Sequence, residues 1–213
     1  MKMFNKTLIA AALLTTGAAA QAEVSGGAAI ASSYLWRGSD LSAGSAVVSG
    51  SLDYSSEVGI YAGIWGSSGD DTYGTEYDLY VGYAGEVGDI GYDIGYVSYN
   101  YPSCNSTGNL DPLLGVDPSL CDFEEIYAGL SYAAFGITAY NNQDADYNDT
   151  YIALGYDFSD FNITYGMWSD DGAHLDATYS MGDLAFTISQ GFDDAVYTEE
   201  TQFVVSYSIP LDM

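Results

Sequence analysis

The sequence of 213 residues contains 30 acidic side chains against three lysines and arginines, together with 21 tyrosines and a hydrophobic fraction of 48%. A nucleic-acid-binding protein is excluded, because so few basic side chains cannot neutralise phosphates. The tyrosine and hydrophobic content argues against the disorder that such a net charge usually indicates. After the first 22 residues no apolar run is long enough for a transmembrane helix, so a membrane location would require a β-barrel.

Residues 1–22 have the three parts of a secretory signal peptide. Lys2 and Lys6 provide the charged start, an alanine- and leucine-rich run follows, and the segment ends in an A-x-A cleavage pattern. If this segment is removed, Arg37 remains as the only lysine or arginine beside the 30 acidic residues. We therefore expect an exported protein with one domain, residues 23–213.

Apolar residues alternate with small or acidic residues along most of this domain, and a period of two predicts β-strands. In residues 76–102, two consecutive segments place aliphatic and tyrosine side chains on one face and glycine or acidic side chains on the other. An apolar face on strands of this length is typical of a strand that faces lipid. The predicted strands are 24–36, 45–54, 58–66, 75–85, 89–101, 123–133, 135–141, 149–158, 160–168, 174–181, 183–191 and 201–209.

The connections between these strands alternate between long and short. Strict alternation places all short turns at one rim of a barrel and all long loops at the other. The sequence thus predicts an all-β protein, a transmembrane antiparallel up-and-down β-barrel of about 12 strands, with short periplasmic turns and longer extracellular loops. A secreted, acidic β-sandwich is the alternative fold. The predicted long loops are Arg37–Gly44, Ser67–Gly74, Pro102–Asp122, Asn142–Asn148, Ser169–Ala173 and Phe192–Glu200.

Three motifs carry a resemblance to a known family. They are SYLWRG at residues 33–38, YAGIWG at residues 61–66, and the paired segments of residues 76–102. Through them the chain resembles the proteobacterial porin-like family Gcw_chp. The resemblance implies an outer-membrane location and a channel, and it supplies no catalytic residues.

Strand parity predicts that seven acidic side chains face the barrel lumen. Rings of carboxylates favour cations over anions in a pore, so we expect a porin-like channel for small polar solutes or cations. The alternatives are that the acids only keep the lumen hydrated, or that the barrel is structural or adhesive and has no open pore. The lumen and selectivity candidates are Asp53, Glu76, Asp78, Asp93, Glu125, Asp157 and Asp176, with Arg37 beside them.

Arg37 has two interpretations. As the only cation of the exported domain, it is expected to pair with carboxylates, and a structural ion pair at the barrel rim is the favoured interpretation. A selectivity residue at a constriction is the alternative. His174 and Asp176 share a strand face, as in a lipid-hydrolysing barrel, but no motif ties a serine to them, so we expect no enzyme.

The predicted loops contain the remaining candidates. Cys104 and Cys121 are expected to form a disulfide in an exported protein, and a metal pair is the alternative. Acid clusters such as Asp70-Asp71 and Asp193-Asp194 could hold Ca²⁺ or Mg²⁺, but solvated loop charge is the favoured interpretation, so no cofactor is expected. The expected partners are outer-membrane lipid and the transported solutes or cations. Nothing in the sequence specifies an oligomeric state.

Overall fold

A computed structural model describes residues 22–70, 74–102, 122–143, 149–169, 172–192 and 201–211. Twelve antiparallel strands form a closed barrel, and two short strands, β2 (Leu35–Trp36) and β3 (Ser39–Asp40), form a separate hairpin. No helix among the described residues is long and apolar enough to cross a membrane. The barrel strands are β1 (Glu23–Ala31), β4 (Val47–Ser55), β5 (Ile60–Asp70), β6 (Gly74–Val87), β7 (Ile90–Asn100), β8 (Phe123–Tyr132), β9 (Phe135–Asn142), β10 (Thr150–Phe158), β11 (Phe161–Trp168), β12 (Ala173–Met181), β13 (Leu184–Phe192) and β14 (Gln202–Leu211).

Strand β1 closes the barrel because it pairs with the second barrel strand on one side and the last on the other. Ala28, for example, lies opposite Gly50 of β4 and opposite Ile209 of β14. Every other barrel strand pairs with its neighbours in the sequence. The predicted up-and-down barrel of twelve strands is confirmed, and the alternative β-sandwich is wrong, since a sandwich consists of two separate sheets.

The outer face of the barrel is apolar. Val81 and Leu79 of β6 are each 48% exposed, and Phe158 at the end of β10 is 65% exposed. Glu76 and Asp78 alternate with these residues on β6 and are 2% and 8% exposed. A soluble protein rarely exposes so large an apolar surface, whereas a lipid-facing barrel requires it. The same outward apolar rows occur elsewhere, for example Phe161, Ile163 and Tyr165 of β11 and Phe203, Tyr207 and Ile209 of β14.

The two rims differ as the loop lengths predict. The short turns β4–β5, β6–β7, β8–β9, β10–β11 and β12–β13 lie at one end, the short-turn rim. The described chain ends lie there too, because Glu23 pairs with Ser55 and Leu211 pairs with Gly26. The other connections lie at the opposite end, the long-loop rim.

The predicted long loop Ser67–Gly74 is wrong. Strand β5 continues to Asp70 and β6 begins at Gly74, with an irregular register between Ser67 and Asp70. The ladder continues past the last apolar residue because backbone hydrogen bonds do not depend on the side chains. The connection at this point is therefore residues 71–73.

The first strand is also shorter than predicted. It was expected to span 24–36, but β1 ends at Ala31, and residues 32–46, here called the inner hairpin, fold into the barrel. Tyr34, Leu35 and Arg37 of this segment are buried at 4–6% exposure. The apolar alternation of Tyr34 to Trp36 indicates a strand correctly, but that strand pairs with β3 inside the lumen and not with β14.

Candidate functional site in the barrel lumen

The inner hairpin has its own hydrogen bonds. The Leu41 amide donates to the Tyr34 carbonyl at 2.7 Å, and the Tyr34 amide donates to Ser42 Oγ at 2.8 Å. The carboxylate of Asp40 accepts hydrogen bonds from the amides of Ser42, at 3.0 Å, and Gly44, at 2.7 Å. This Asp-centred turn closes the base of the hairpin, so its tip is held at a defined place.

Arg37 and Gly38 form the two-residue tip of the inner hairpin. Both have positive φ, 47° and 84°, as a type I′ turn requires. An arginine rarely adopts this conformation, and the strain of such a residue is on the order of 1–3 kcal/mol. The contacts of the Arg37 side chain offset this backbone strain.

Arg37 forms a bidentate ion pair with Glu125, an inward-facing residue of β8. Its Nη1 lies 2.8 Å from Oε1 and its Nη2 lies 2.6 Å from Oε2, and the two residues are 4% and 1% exposed. The Tyr99 hydroxyl donates a further hydrogen bond to Glu125 at 3.0 Å. Burial alone lowers the pKa of Arg37, but the Glu125 carboxylate raises it above its ordinary value, so the guanidinium stays charged.

Four aromatic rings surround the same guanidinium. Its central carbon lies 4.4 Å from the ring centroid of Trp36, 4.6 Å from Tyr140, 4.4 Å from Tyr151 and 5.0 Å from Trp168. All four distances are within the range at which a ring face attracts a cation. Glu125 and these four rings are called the aromatic cage below.

The inner hairpin is also anchored to β6, by Tyr34. Its hydroxyl donates to Glu76 of β6 at 2.6 Å, and the Tyr101 hydroxyl donates to the other oxygen of that carboxylate at 2.8 Å. Burial, and then the negative charge of Glu76, raise the pKa of Tyr34 well above its ordinary value. Tyr34 therefore remains a hydrogen-bond donor at any pH the protein would meet.

A third contact joins the tip of the inner hairpin to β12. Gly38 packs against His174, whose Nε2 lies 2.7 Å from the Tyr151 hydroxyl and whose Nδ1 lies 3.0 Å from Asp176. Both ring nitrogens thus have hydrogen-bond partners, which accounts for the burial of His174. His174 and Asp176, which the alternation along the sequence places on one face of a strand, thus support the tip of the inner hairpin.

Replacing Gly38 with alanine should loosen the inner hairpin. A Cβ at this position would lie 2.5 Å and 2.6 Å from the Cβ and Cγ of His174, and alanine also disfavours the φ of 84°. We expect a loss of about 1–3 kcal/mol in the free energy of unfolding, measured by urea titration of the folded barrel. Gly44, with φ of 76° and open space where a Cβ would lie, is the matched control. Gly44→Ala should lower the free energy of unfolding less, because it introduces the unfavourable φ without a steric clash. Equal losses in the two variants would contradict the contact with His174.

Tyrosines and carboxylates line the lumen towards the short-turn rim. The Tyr61 hydroxyl donates to Asp93 at 2.6 Å and also contacts the Tyr127 hydroxyl, while the Tyr80 hydroxyl donates to Asp53. Tyr61, Tyr127 and Tyr80 come from β5, β8 and β6, and their partners Asp93 and Asp53 from β7 and β4, so the network links strands that are two or three apart in the sheet. These tyrosine side chains point inward and narrow the lumen.

Glycines let these tyrosine rings lie against the barrel wall. Gly82 is paired with Tyr61 and Gly63 with Tyr80, and the ring in each pair occupies the space that a Cβ on the glycine would need. Such aromatic–glycine pairs stabilise a sheet because the ring covers the exposed backbone. The rings thus cover part of the lumen wall.

Of the seven acidic residues predicted to face inward, Glu76, Asp78, Asp93 and Glu125 are buried, Asp53 and Asp176 are half-buried, and Asp157 is exposed. Five of them have hydrogen-bond partners described above, and Asp157 accepts a hydrogen bond from Asn162 at 2.9 Å near the short-turn rim. Asp78 is 8% exposed, and its Oδ1 has no hydrogen-bond partner among the described residues. Arg37 lies inside the lumen near the long-loop rim and is paired with the Glu125 carboxylate.

The sequence did not indicate the aromatic cage. Tyr140, Tyr151 and Trp168 come from β9, β10 and β11, and no sequence motif connects them to Arg37. The glycine at position 38, directly after Leu35-Trp36-Arg37, is the signal that could have revealed the hairpin, since a type I′ turn favours glycine at its second central position.

Several predictions concern residues outside the described ranges. Cys104, Cys121 and the signal peptide lie there, as do most of the acidic loop residues, including Asp71, Asp193 and Asp194. Within the described residues, no group of three or more histidine, cysteine or acidic side chains is arranged to hold a metal ion.

The sequence profile of a family described as a bacterial protein of unknown function, Gcw_chp, matches residues 15–205. The chain belongs to the Gcw_chp family. Residues 15–205 include the inner hairpin and, except for the end of β14, the whole barrel, so both are parts of the region that family members share. None of the curated protein sequences matches the chain. The family description names no activity, so a porin function must be argued from the geometry of the lumen.

Proposed function

We propose that this Gcw_chp protein is an outer-membrane barrel that conducts small cations and other small polar solutes through an acidic, constricted lumen. Its apolar outer face supports the membrane location, because Val81, Leu79 and similar side chains would be costly to expose to water over the whole circumference. The channel is supported above all by the excess of inward-facing carboxylates over the single cation, Arg37.

The carboxylates favour cations because most of them are not neutralised by an ion pair. Arg37 is paired with Glu125 alone, whereas Asp53 and Asp93 have tyrosine hydroxyls as partners, which leave their charge in place. Negative charge in a narrow space with low-dielectric walls concentrates cations and repels anions.

The inner hairpin sets the width of the path at the long-loop rim. A cavity of about 50 Å³ lies between the hairpin and the wall formed by β13, β14, β1, β4 and β5. It has room for only a few water molecules. Its lining combines small and hydroxyl side chains, including Ala29, Ser49, Thr187, Val204 and Ser206. Passage beside the docked hairpin would therefore be restricted to small ions.

A closed structural barrel is the second candidate, and the anchoring of the inner hairpin favours it. Tyr34 is bonded to β6, Arg37 to β8 and Gly38 is packed on β12, so the hairpin spans the lumen between distant strands. If these contacts never open, no solute larger than water would pass.

Reversal potentials in planar bilayers test the proposal. In a gradient of KCl the purified barrel should produce conductance steps, and the sign of its reversal potential should show that cations are preferred over anions. Asp53→Asn combined with Asp93→Asn should reduce the cation-to-anion permeability ratio by about fivefold, which corresponds to about 1 kcal/mol in the electrostatic free energy of a passing cation.

The matched control neutralises two exposed turn residues, Asp89→Asn with Asp160→Asn, and should change the ratio much less. Anion preference of the unaltered barrel would overturn the acidic-lumen proposal. Absence of conductance steps would favour the closed barrel.

A further inference from the structure

The aromatic cage is divided between two parts of the chain. The wall part consists of Glu125, Tyr140, Tyr151 and Trp168, which belong to four consecutive barrel strands. The other part is Trp36, which belongs to the inner hairpin, as does the bound Arg37. The wall part is held by the ladders β8–β9, β9–β10 and β10–β11. It does not depend on the hairpin for its backbone positions, so it persists as a recess when the Arg37 side chain is absent.

We propose that the aromatic cage is a binding site for guanidinium or alkylammonium cations, and that the chain's own Arg37 fills it. Three ring faces from the wall and one buried carboxylate are the groups that recognise such a cation. The Glu125 carboxylate accepts two parallel hydrogen bonds from the guanidinium, at 2.8 Å and 2.6 Å, and the rings of Tyr140 and Tyr151 cover it.

The chemistry of the cage selects the class of cation. Inorganic cations such as Na⁺ and Mg²⁺ need several oxygen ligands to replace their hydration shell, and the cage offers one carboxylate among ring faces. Guanidinium and alkylammonium ions are weakly hydrated and match ring faces. A planar guanidinium fits the carboxylate better than an ammonium does, so methylguanidinium should bind more tightly than tetramethylammonium.

Arg37 competes with any free cation because it is tethered next to the site. A short tether gives an effective concentration in about the millimolar range, and the ordered hairpin raises it further. The unaltered protein should therefore show little binding of a free cation at millimolar concentration. Removing the Arg37 side chain should expose the site.

The test uses the full chain with Arg37→Gly, because a Gly-Gly tip keeps the type I′ turn while emptying the cage. Methylguanidinium chloride is titrated against NaCl at equal ionic strength, and tryptophan fluorescence is recorded, since Trp168 lies in the wall part of the cage. Trp65→Phe removes the signal of the tryptophan that packs on Tyr34 instead. We expect saturable binding with a dissociation constant of about 1 mM for Arg37→Gly, and at least about tenfold weaker binding for the unaltered protein.

Glu125→Gln in the Arg37→Gly background is the control that separates the cage from general effects of the salt. It should weaken methylguanidinium binding about tenfold or more, since the charge-assisted hydrogen bonds are lost. Equal binding with and without Glu125, or no saturation in Arg37→Gly, would overturn the proposal.

A stability measurement keeps the test decisive if Arg37→Gly folds poorly. The fraction of barrel that keeps its folded gel mobility is then measured after refolding with 10 mM methylguanidinium or 10 mM NaCl. Rescue by methylguanidinium alone supports the site, and identical fractions contradict it. Neither readout requires conduction, so failure of this proposal and failure of the channel proposal are distinguishable.

Discussion

Replacing Arg37 with asparagine is expected to release the inner hairpin and increase conductance through the barrel. The change leaves Glu125, which is 1% exposed, as a buried carboxylate without its cation. Removing one member of a buried ion pair costs about 3–5 kcal/mol. Asn-Gly is a favoured type I′ tip, so the backbone of the hairpin is not the source of this loss.

The expected result is a several-fold higher single-channel conductance together with faster acrylamide quenching of tryptophan fluorescence. Conductance rises because the hairpin no longer occupies the mouth of the lumen, and quenching rises because Trp36 leaves its contacts with Tyr99, Phe123 and Trp168. If Arg37→Asn has the conductance and quenching of the unaltered protein, the ion pair does not hold the hairpin.

Glu125→Gln combined with Arg37→Asn is the matched control. It removes the uncompensated charge as well as the ion pair, so the double variant should be more stable than Arg37→Asn alone. A double variant that loses the sum of the two single losses would show that the two side chains do not interact.

A lysine in place of Val81 is expected to destabilise the barrel in lipid vesicles by about 2–4 kcal/mol, because the bilayer midplane is the costliest depth for a charge on a lipid-facing strand. Val81 lies in the middle of β6, is 48% exposed and faces outward between Ala62 and Tyr96. The measurement is urea-induced unfolding in vesicles, followed by the change in gel mobility.

Val58→Lys is the control, since Val58 is 66% exposed in the turn between β4 and β5. A lysine near the membrane interface costs about 0–1 kcal/mol. In an aqueous setting both lysines would be nearly neutral, because each replaces an exposed side chain. Equal small effects in vesicles would therefore contradict a membrane-spanning orientation of the barrel.

Much of the wall could be predicted because a strand has a period of two. Tyr77, Leu79 and Val81 face outward and Glu76 and Asp78 face inward, as the alternation indicates. A register slip of one residue would put every acid of a strand on the apolar face, so the pattern determines the orientation of each strand. The number of strands follows from the same pattern and from the short turns.

The first loop could not be predicted in this way. Tyr34, Leu35 and Trp36 are apolar and extend the predicted first strand, but their composition does not indicate which strand is the partner. Leu35 pairs with Asp40 and Trp36 with Ser39 of β3, five and three residues farther along the chain, because Arg37 and Gly38 adopt the type I′ turn. Only the docked hairpin explains why a loop of the long-loop rim carries buried side chains.

The sequence alone determined the all-β fold, the number of strands, the apolar outer face and the acidic inner face, because each depends on local alternation and turn length. The tertiary structure decided where the cation Arg37 lies. Glu125, Tyr140, Tyr151 and Trp168 are spread over 44 positions of the sequence, and the register of four consecutive strands together with the docked inner hairpin places them around one guanidinium. Alternation along one strand does not indicate the register between strands or the place where a loop docks, which is why the aromatic cage appeared only in the folded barrel.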